Sequence, residues 1–242
     1  MKIKGIIIFS LLMFAQLQGQ VLDEYPNDQY FYKGGEAQFY KEIYELLENE
    51  KSAECSSSEI YQPRILVTKE GTVKQVKDFD DNNIEKNKCA YDLSLLVLKK
   101  LKNWNPAVVK GQKLGAITEF VLYPKDVMSN YQENYEASKY VLYAQYPGGN
   151  KKFNQEFHDQ FMSLFTDYQI RGTFNLEFYI DQNGSISQPR IFPEIDNQTF
   201  NKEFLRTLSR MKKKWSPSLY SNVPIKQRIS FPMNFTMEFI VR

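Results

Sequence analysis

From Thr173 to Ile180 apolar and polar residues mostly alternate, the period-two pattern of a half-buried strand. Asp181-Gln182-Asn183-Gly184 follows, and Asn-Gly is a strong hairpin signal because both residues tolerate positive φ. Ser185 to Phe192 reads as the returning strand, and Pro193 to Asn197 as a turn cluster. Phe200, Phe204, Leu208 and Met211 then recur at helical spacing up to a basic end, Arg210 to Lys214, where Trp215-Ser216-Pro217 stops the helix. Lys226 to Phe239 is the last extended run. Ahead of all this, Phe153, Phe157, Phe161 and Leu164 fit an amphipathic helix that packs one face on a sheet.

The first half of the chain carries the same pattern. Lys33-Gly34-Gly35 parallels Pro147-Gly148-Gly149, and Phe39, Ile43, Leu46 and Leu47 give the following helix. Arg64 to Val73 parallels Phe178 to Ile186, Leu93, Leu96, Val97 and Leu101 give a second helix, and Trp104-Asn105-Pro106 parallels Trp215-Ser216-Pro217. Leu114 to Tyr123 stands where the last strand stands. Gly35 and Gly71 are 36 residues apart and Gly149 and Gly184 35; Gly71 and Trp104 are 33 apart and Gly184 and Trp215 31. Matched landmarks at matched distances predict a tandem duplication; the alternative is chance similarity between two α+β units. The first unit is the diverged one. Lys33 replaces Pro147, Gly172 has no clear counterpart, and its two cysteines have none either.

The ordered set Tyr146, Pro147, Gly148, Gly149, Gly172, Asn183, Gly184, Trp215 and Pro217, with Ile225-Lys226-Gln227-Arg228 leading into the last strand, resembles the C-terminal domain of TonB. Tyr146-Pro147-Gly148-Gly149 is similar to the version in Bacteroidetes-type members. The resemblance implies an α+β fold of two tandem TonB-C-terminal-like units, each a small antiparallel sheet with two helices. The expected division is a signal peptide at 1–19, a lead-in at 20–32 that packs its aromatics on the first unit, a diverged unit at 33–124, a linker at 125–144 whose interleaved tyrosines pack on a domain, and a TonB-C-like domain at 145–242.

Lys2 and Lys4, the apolar run from Gly5 to Ala15 and the small residue Gly19 read as a secretory signal. The run is well short of the ~20 residues a spanning helix needs; an uncleaved anchor is the alternative. Cleavage after Gly19 removes two lysines and no acid, so the net charge falls from +2 to 0. That leaves no electrostatic case for nucleic acid. Hydrophobic residues at 42%, with 18 Phe and 16 Tyr, supply enough apolar surface for cores and exclude global disorder. In an exported chain the pair Cys55 and Cys89 favours a disulfide over two buried thiols, and a spacing with no CxxC argues against redox chemistry.

Catalytic and metal signals are weak. His158 has Glu156 and Asp159 nearby but neither nucleophile nor orienter beside it in sequence. Asp78, Asp80, Asp81, Asn82 and Asn83 miss the calcium loop: its sixth and twelfth positions hold Asn83 and Cys89 in place of Gly and Glu. Glu194 and Asp196 read as a polar turn, and Lys212-Lys213-Lys214 as cations complementing a helix C-terminus. The expectation is no enzyme, no cofactor and no metal.

By resemblance the site is the last strand. Ile225, Lys226, Gln227, Arg228, Ile229, Ser230 and Phe231 form an edge that takes a guest peptide as an added strand, and Arg228 meets an acidic residue of that guest. The other unit, the linker or a homodimer mate are the alternative occupants. The implied role is a periplasmic, non-catalytic binder of outer-membrane receptors or transport accessory proteins. Two alternatives stand beside it. One is a TonB-type energy transducer, which requires a retained anchor and lacks the family's Pro-rich spacer, since Pro26 is the only proline before Pro63. The other is a structural or peptidoglycan-binding envelope protein, with Phe231 and Phe235 as a sugar-facing pair unless they are core.

Overall fold

The computed structural model describes residues 21–78, 80–163 and 172–235, without the side chain of Phe235. The expected signal segment, Leu164 and the end of the last predicted strand lie outside the described residues, and so does the Phe235 ring.

The chain opens with β1 (Val21–Leu22), α1 (Gly35–Asn49), β2 (Arg64–Val67), β3 (Val73–Gln75), α2 (Asp81–Lys86), α3 (Lys88–Lys100), β4 (Ala107–Val109) and β5 (Gln112–Glu119). The sheet order is β1-β5-β2-β3, with β4 hairpinned onto β5. Helix α1 buries Phe39, Tyr40, Ile43 and Leu47, and α3 buries Leu93 and Val97, against Ile65, Val67 and Trp104. β5 runs antiparallel to β2, but β1 runs parallel to β5, with Val21 opposite Gly115 and Leu22 opposite Ala116. The first sheet is therefore mixed, not purely antiparallel. Cys55 and Cys89 form a disulfide with Cα atoms 5.6 Å apart, tying the loop before β2 to the start of α3.

The second half holds α5 (Gly149–Met162), β7 (Gly172–Ile180), β8 (Ile186–Phe192), α6 (Gln198–Arg210) and β11 (Gln227–Phe235). Its sheet order is β11-β7-β8, all antiparallel. Asn197 caps α6 by accepting from the Phe200 amide at 2.9 Å, as a residue of that type does at a helix start. Phe153, Phe157, Phe161, Phe200, Phe204 and Leu208 cover Phe174, Leu176, Phe178 and Ile180.

The two halves share local detail. Gly34 and Gly148 precede α1 and α5 in the left-handed conformation, φ 84° and 91°. Tyr32 donates to Glu42 and Tyr146 to Glu156. Lys110-Gly111 and Ser221-Asn222 each turn with both residues at positive φ, the pattern of a two-residue hairpin. Ala116 faces Val67, and Gln227 faces Ile180.

The segment between the halves is packed rather than spanning. It forms α4 (Pro124–Val127), a 3-10 turn at Ala137–Tyr140 and β6 (Val141–Leu142). Val127, Tyr135 and Ala137 join the first core, and Tyr131 stacks on Tyr44 at 4.3 Å. β6 pairs with β9 (Ser218–Tyr220), which hairpins to β10 (Val223–Ile225). Tyr220 and Ile225 lie in the first core too. The Tyr220 hydroxyl meets that of Tyr135 and donates to Asp126 at 3.0 Å; burial first, then Tyr135, pushes Tyr220 far above its ordinary range. The halves are thus joined by buried aromatic contacts.

Candidate functional site: the outer edge of the last strand

β11 pairs with β7 along its whole described length, from Gln227 opposite Ile180 to Phe235 opposite Gly172. No strand pairs with its other side among the described residues. Side chains alternate across it. Ile229, Phe231 and Met233 turn toward the helices, and the Phe231 ring stacks on Phe153 at 4.7 Å. Phe231 is partly buried and packs against the core on the helix side of the sheet. Ser230, Pro232 and Asn234 are exposed.

Main-chain directions follow from the same alternation. The Lys226 amide donates to the Gln62 side chain at 3.0 Å, and its carbonyl accepts from the same side chain at 2.9 Å. Both Lys226 groups therefore point away from β7, and those of Arg228, Ser230, Pro232 and Asn234 do likewise. Proline sits in a sheet where no ladder N–H is needed, and Pro232 meets that condition on the outer side. It also blanks one donor, so the complete acceptor stretch ends at Phe231.

The expected edge is shortened at its other end as well. Ile225 belongs to β10, opposite Ser218, and is 3% exposed. The main chain of Lys226 is taken by Gln62. The Gln227 side chain accepts from the Ala144 amide at 2.7 Å. The free edge runs over Gln227, Arg228, Ile229, Ser230 and Phe231, and Leu142 and Tyr143, 65% and 63% exposed, directly precede the residue bonded to its first member.

Arg228 is not waiting for a guest. Its guanidinium donates to Glu177 at 2.6 Å, to Glu24 at 3.1 Å and to the Asp23 carbonyl at 3.3 Å. Arg190 grips the other Glu177 oxygen and reaches Asp23 at 3.2 Å. Glu177 is 3% exposed, so this carboxylate is stabilised by two charge-assisted bonds that offset its desolvation. Beside it, the Lys226 ammonium lies 4.5 Å from the Tyr179 ring centre, a cation–π contact. Burial raises the Tyr179 hydroxyl above its ordinary range, with the Glu119 charge adding to it. The face of β7 and β8 away from the helices is thus a charged seam against the first half. Glu177, Arg190, Asp23 and Glu24 were not singled out from sequence, although Glu177 is the only charge in the alternating run Thr173–Ile180.

The other motif residues build the frame. Tyr146 packs on Trp215 with ring centres 5.4 Å apart. Gly172 opens β7 at φ 129°. Asn183-Gly184 closes the β7–β8 hairpin, and the Trp215 amide donates to the Gly184 carbonyl at 3.0 Å. Pro217 directly precedes β9. His158 is exposed, 3.6 Å from Asp159. Asp80 caps α2, Asp78 accepts from Tyr61, and Lys213 pairs with Glu156. No group of three or more His, Cys, Asp or Glu is placed to hold a metal among the described residues.

A small antiparallel sheet with two helices on one face, its terminal strand unpaired on one side among the described residues, defines an α+β domain. Residues 167–237 match the family model for the Gram-negative bacterial TonB protein C-terminal, so the chain carries a TonB C-terminal-like domain. The match covers β7 through β11 but not Tyr146–Gly149 or α5. Neither curated proteins nor solved structures give a match.

Proposed function

We propose that this protein is a non-catalytic, exported envelope protein that receives an extended segment of an outer-membrane transport component on Gln227–Phe231. The observation that carries the reading is the outer side of β11, open among the described residues and turning the main-chain groups of Arg228 and Ser230 outward. An added strand gains main-chain hydrogen bonds there without displacing any ladder, and Leu142 and Tyr143 offer apolar contact beside it. The matched family is one of interaction domains, which fits binding rather than turnover. We read residues 33–124 as a diverged copy of the same unit, on the strength of the shared glycine caps, Tyr–Glu bonds and positive-φ hairpins. Among the described residues no helix is long and apolar enough to cross a membrane, and the binding role does not depend on an anchor.

The test is affinity capture of the tagged protein from a native envelope extract, with Ser230→Pro and Ile229→Ala as comparisons. Ser230→Pro removes an outward N–H without touching the β7 ladder. Recovery of outer-membrane receptors lost in Ser230→Pro but kept in Ile229→Ala supports the edge. Recovery that both variants leave intact sinks it.

A further inference from the structure

The matched register of the two halves puts β5 where β11 stands. Ala116 opposite Val67 corresponds to Gln227 opposite Ile180, so Gly115 and Ala116 on β5 correspond to Lys226 and Gln227 at the start of the β11 edge, where Gln62 holds the Lys226 main chain. In the first half that position is filled. Val21 and Leu22 pair with Gly115 and Ala116 in parallel as a short added strand. The next two residues leave the sheet and turn to the other half: Asp23 reaches Arg190 at 3.2 Å, and Glu24 reaches Arg228 at 3.1 Å. One four-residue segment therefore occupies one acceptor edge and caps the arginine that opens the other.

We infer that Val21–Glu24 is an internal guest, and that an external extended peptide of the same chemistry, two apolar residues followed by two acidic ones, binds by displacing it. The segment is built to be displaced. Its ladder is two residues long, Val21 is 44% exposed, and Glu24 keeps 70% of its side chain in water. Short, exposed pairings are the first to open in a native protein. A two-residue strand is held by tethering more than by contact area. The acidic pair sets the specificity, because a neutral guest would leave Arg190 and Arg228 with Glu177 alone and a basic one would bring a like charge against them. This inference rests on the strand-addition reading of β11, carried to β5 by register.

The probe is a labelled peptide with the sequence of residues 20–27, Gln-Val-Leu-Asp-Glu-Tyr-Pro-Asn, titrated against the full chain by fluorescence anisotropy. Two variants loosen the internal segment by different routes: Leu22→Pro disturbs its pairing, and Asp23→Lys with Glu24→Lys reverses its charges. Both are expected to bind the peptide at least about tenfold tighter than the unaltered chain, since a tethered competitor works at an effective concentration near the millimolar range. A peptide with lysines for its two acids should bind neither the unaltered chain nor the Leu22→Pro variant. Amide exchange locates the site: the bound peptide should slow Gly115 to Ile117. Equal affinity for all three proteins, or equal binding of the charge-reversed peptide, overturns the inference. Slowing confined to Gln227–Phe231 also overturns it while leaving the proposed function intact. Swapped dimers that refuse the peptide would show that a second copy, not an external guest, takes the edge. If receptor capture fails but Gly115 to Ile117 is slowed, it is the β11 reading that falls.

Discussion

A side chain at Gly184 has no room: a Cβ there would lie 2.0 Å from the Trp215 carbonyl oxygen, and the residue sits at φ 76°. Its counterpart Gly71 is less confined, at φ 77° with the Trp104 carbonyl 3.2 Å away. Gly184→Ala is therefore expected to cost about 2–4 kcal/mol by forcing the hairpin off the Trp-Ser-Pro segment, and Gly71→Ala nearer 1–2; urea unfolding of each variant measures the difference. Equal losses would contradict the close approach. Glu177 makes a different kind of demand. Removing it leaves two guanidinium groups facing each other across a buried gap, so Glu177→Ala should lose about 3 kcal/mol, with a larger loss at low salt. The first of these residues was legible as a turn signal. The second was a lone acid in an apolar strand, a visible anomaly whose meaning depends on Asp23 and Arg228, some 150 positions upstream and 51 downstream.

At the scale of elements, the helices and long strands follow from periodicity because each packs a single apolar face. Phe200, Phe204 and Leu208 on α6, and Phe39 and Ile43 on α1, are buried as their spacing demands. The short strands β1, β4, β6, β9 and β10 carry no such signal. Two or three residues cannot show a period, and what fixes them is pairing with partners far along the chain. Only their turns left a trace, in Lys110-Gly111 and Ser221-Asn222. The linker was legible as tyrosine-rich and as packing on a domain, but its partners were not, since Tyr131 and Tyr135 meet α1 and β9 as well as each other and Tyr140. The disulfide adds a testable constraint. Closing a loop of 35 residues restricts the unfolded chain by roughly 3–4 kcal/mol, so a Cys55→Ser, Cys89→Ser double variant should lose about that much in denaturant unfolding while keeping the mixed helix-and-sheet signature by circular dichroism.

For the whole molecule, the two halves answer acid in the same way. Burial pushes the Glu42 carboxyl up, but hydrogen bonds from Gln38, Tyr32 and Asn103 outweigh it and hold it below its ordinary 4.5. Bonds from Lys213 and Tyr146 hold Glu156 below 4.5 as well. A carboxylate whose folded pKa is lowered contributes stability above its unfolded pKa and loses it as pH falls through the folded one. Thermal stability should therefore fall as pH drops below about 4.5, and Glu42→Gln with Glu156→Gln should flatten that part of the profile. The joint itself, made of Tyr135, Tyr220, Gln62 and the Glu177 seam, fixes the direction in which β11 faces, and with it the central claim that its outer side receives a strand. Residue-resolved amide exchange, with and without an outer-membrane receptor recovered by capture, tests this most directly. The account predicts slowed exchange at Arg228 and Ser230, whose amides point outward, and little change at Ile229, already bonded to β7. Unchanged exchange at Arg228 and Ser230 in the bound state, or protection appearing only elsewhere, would contradict it.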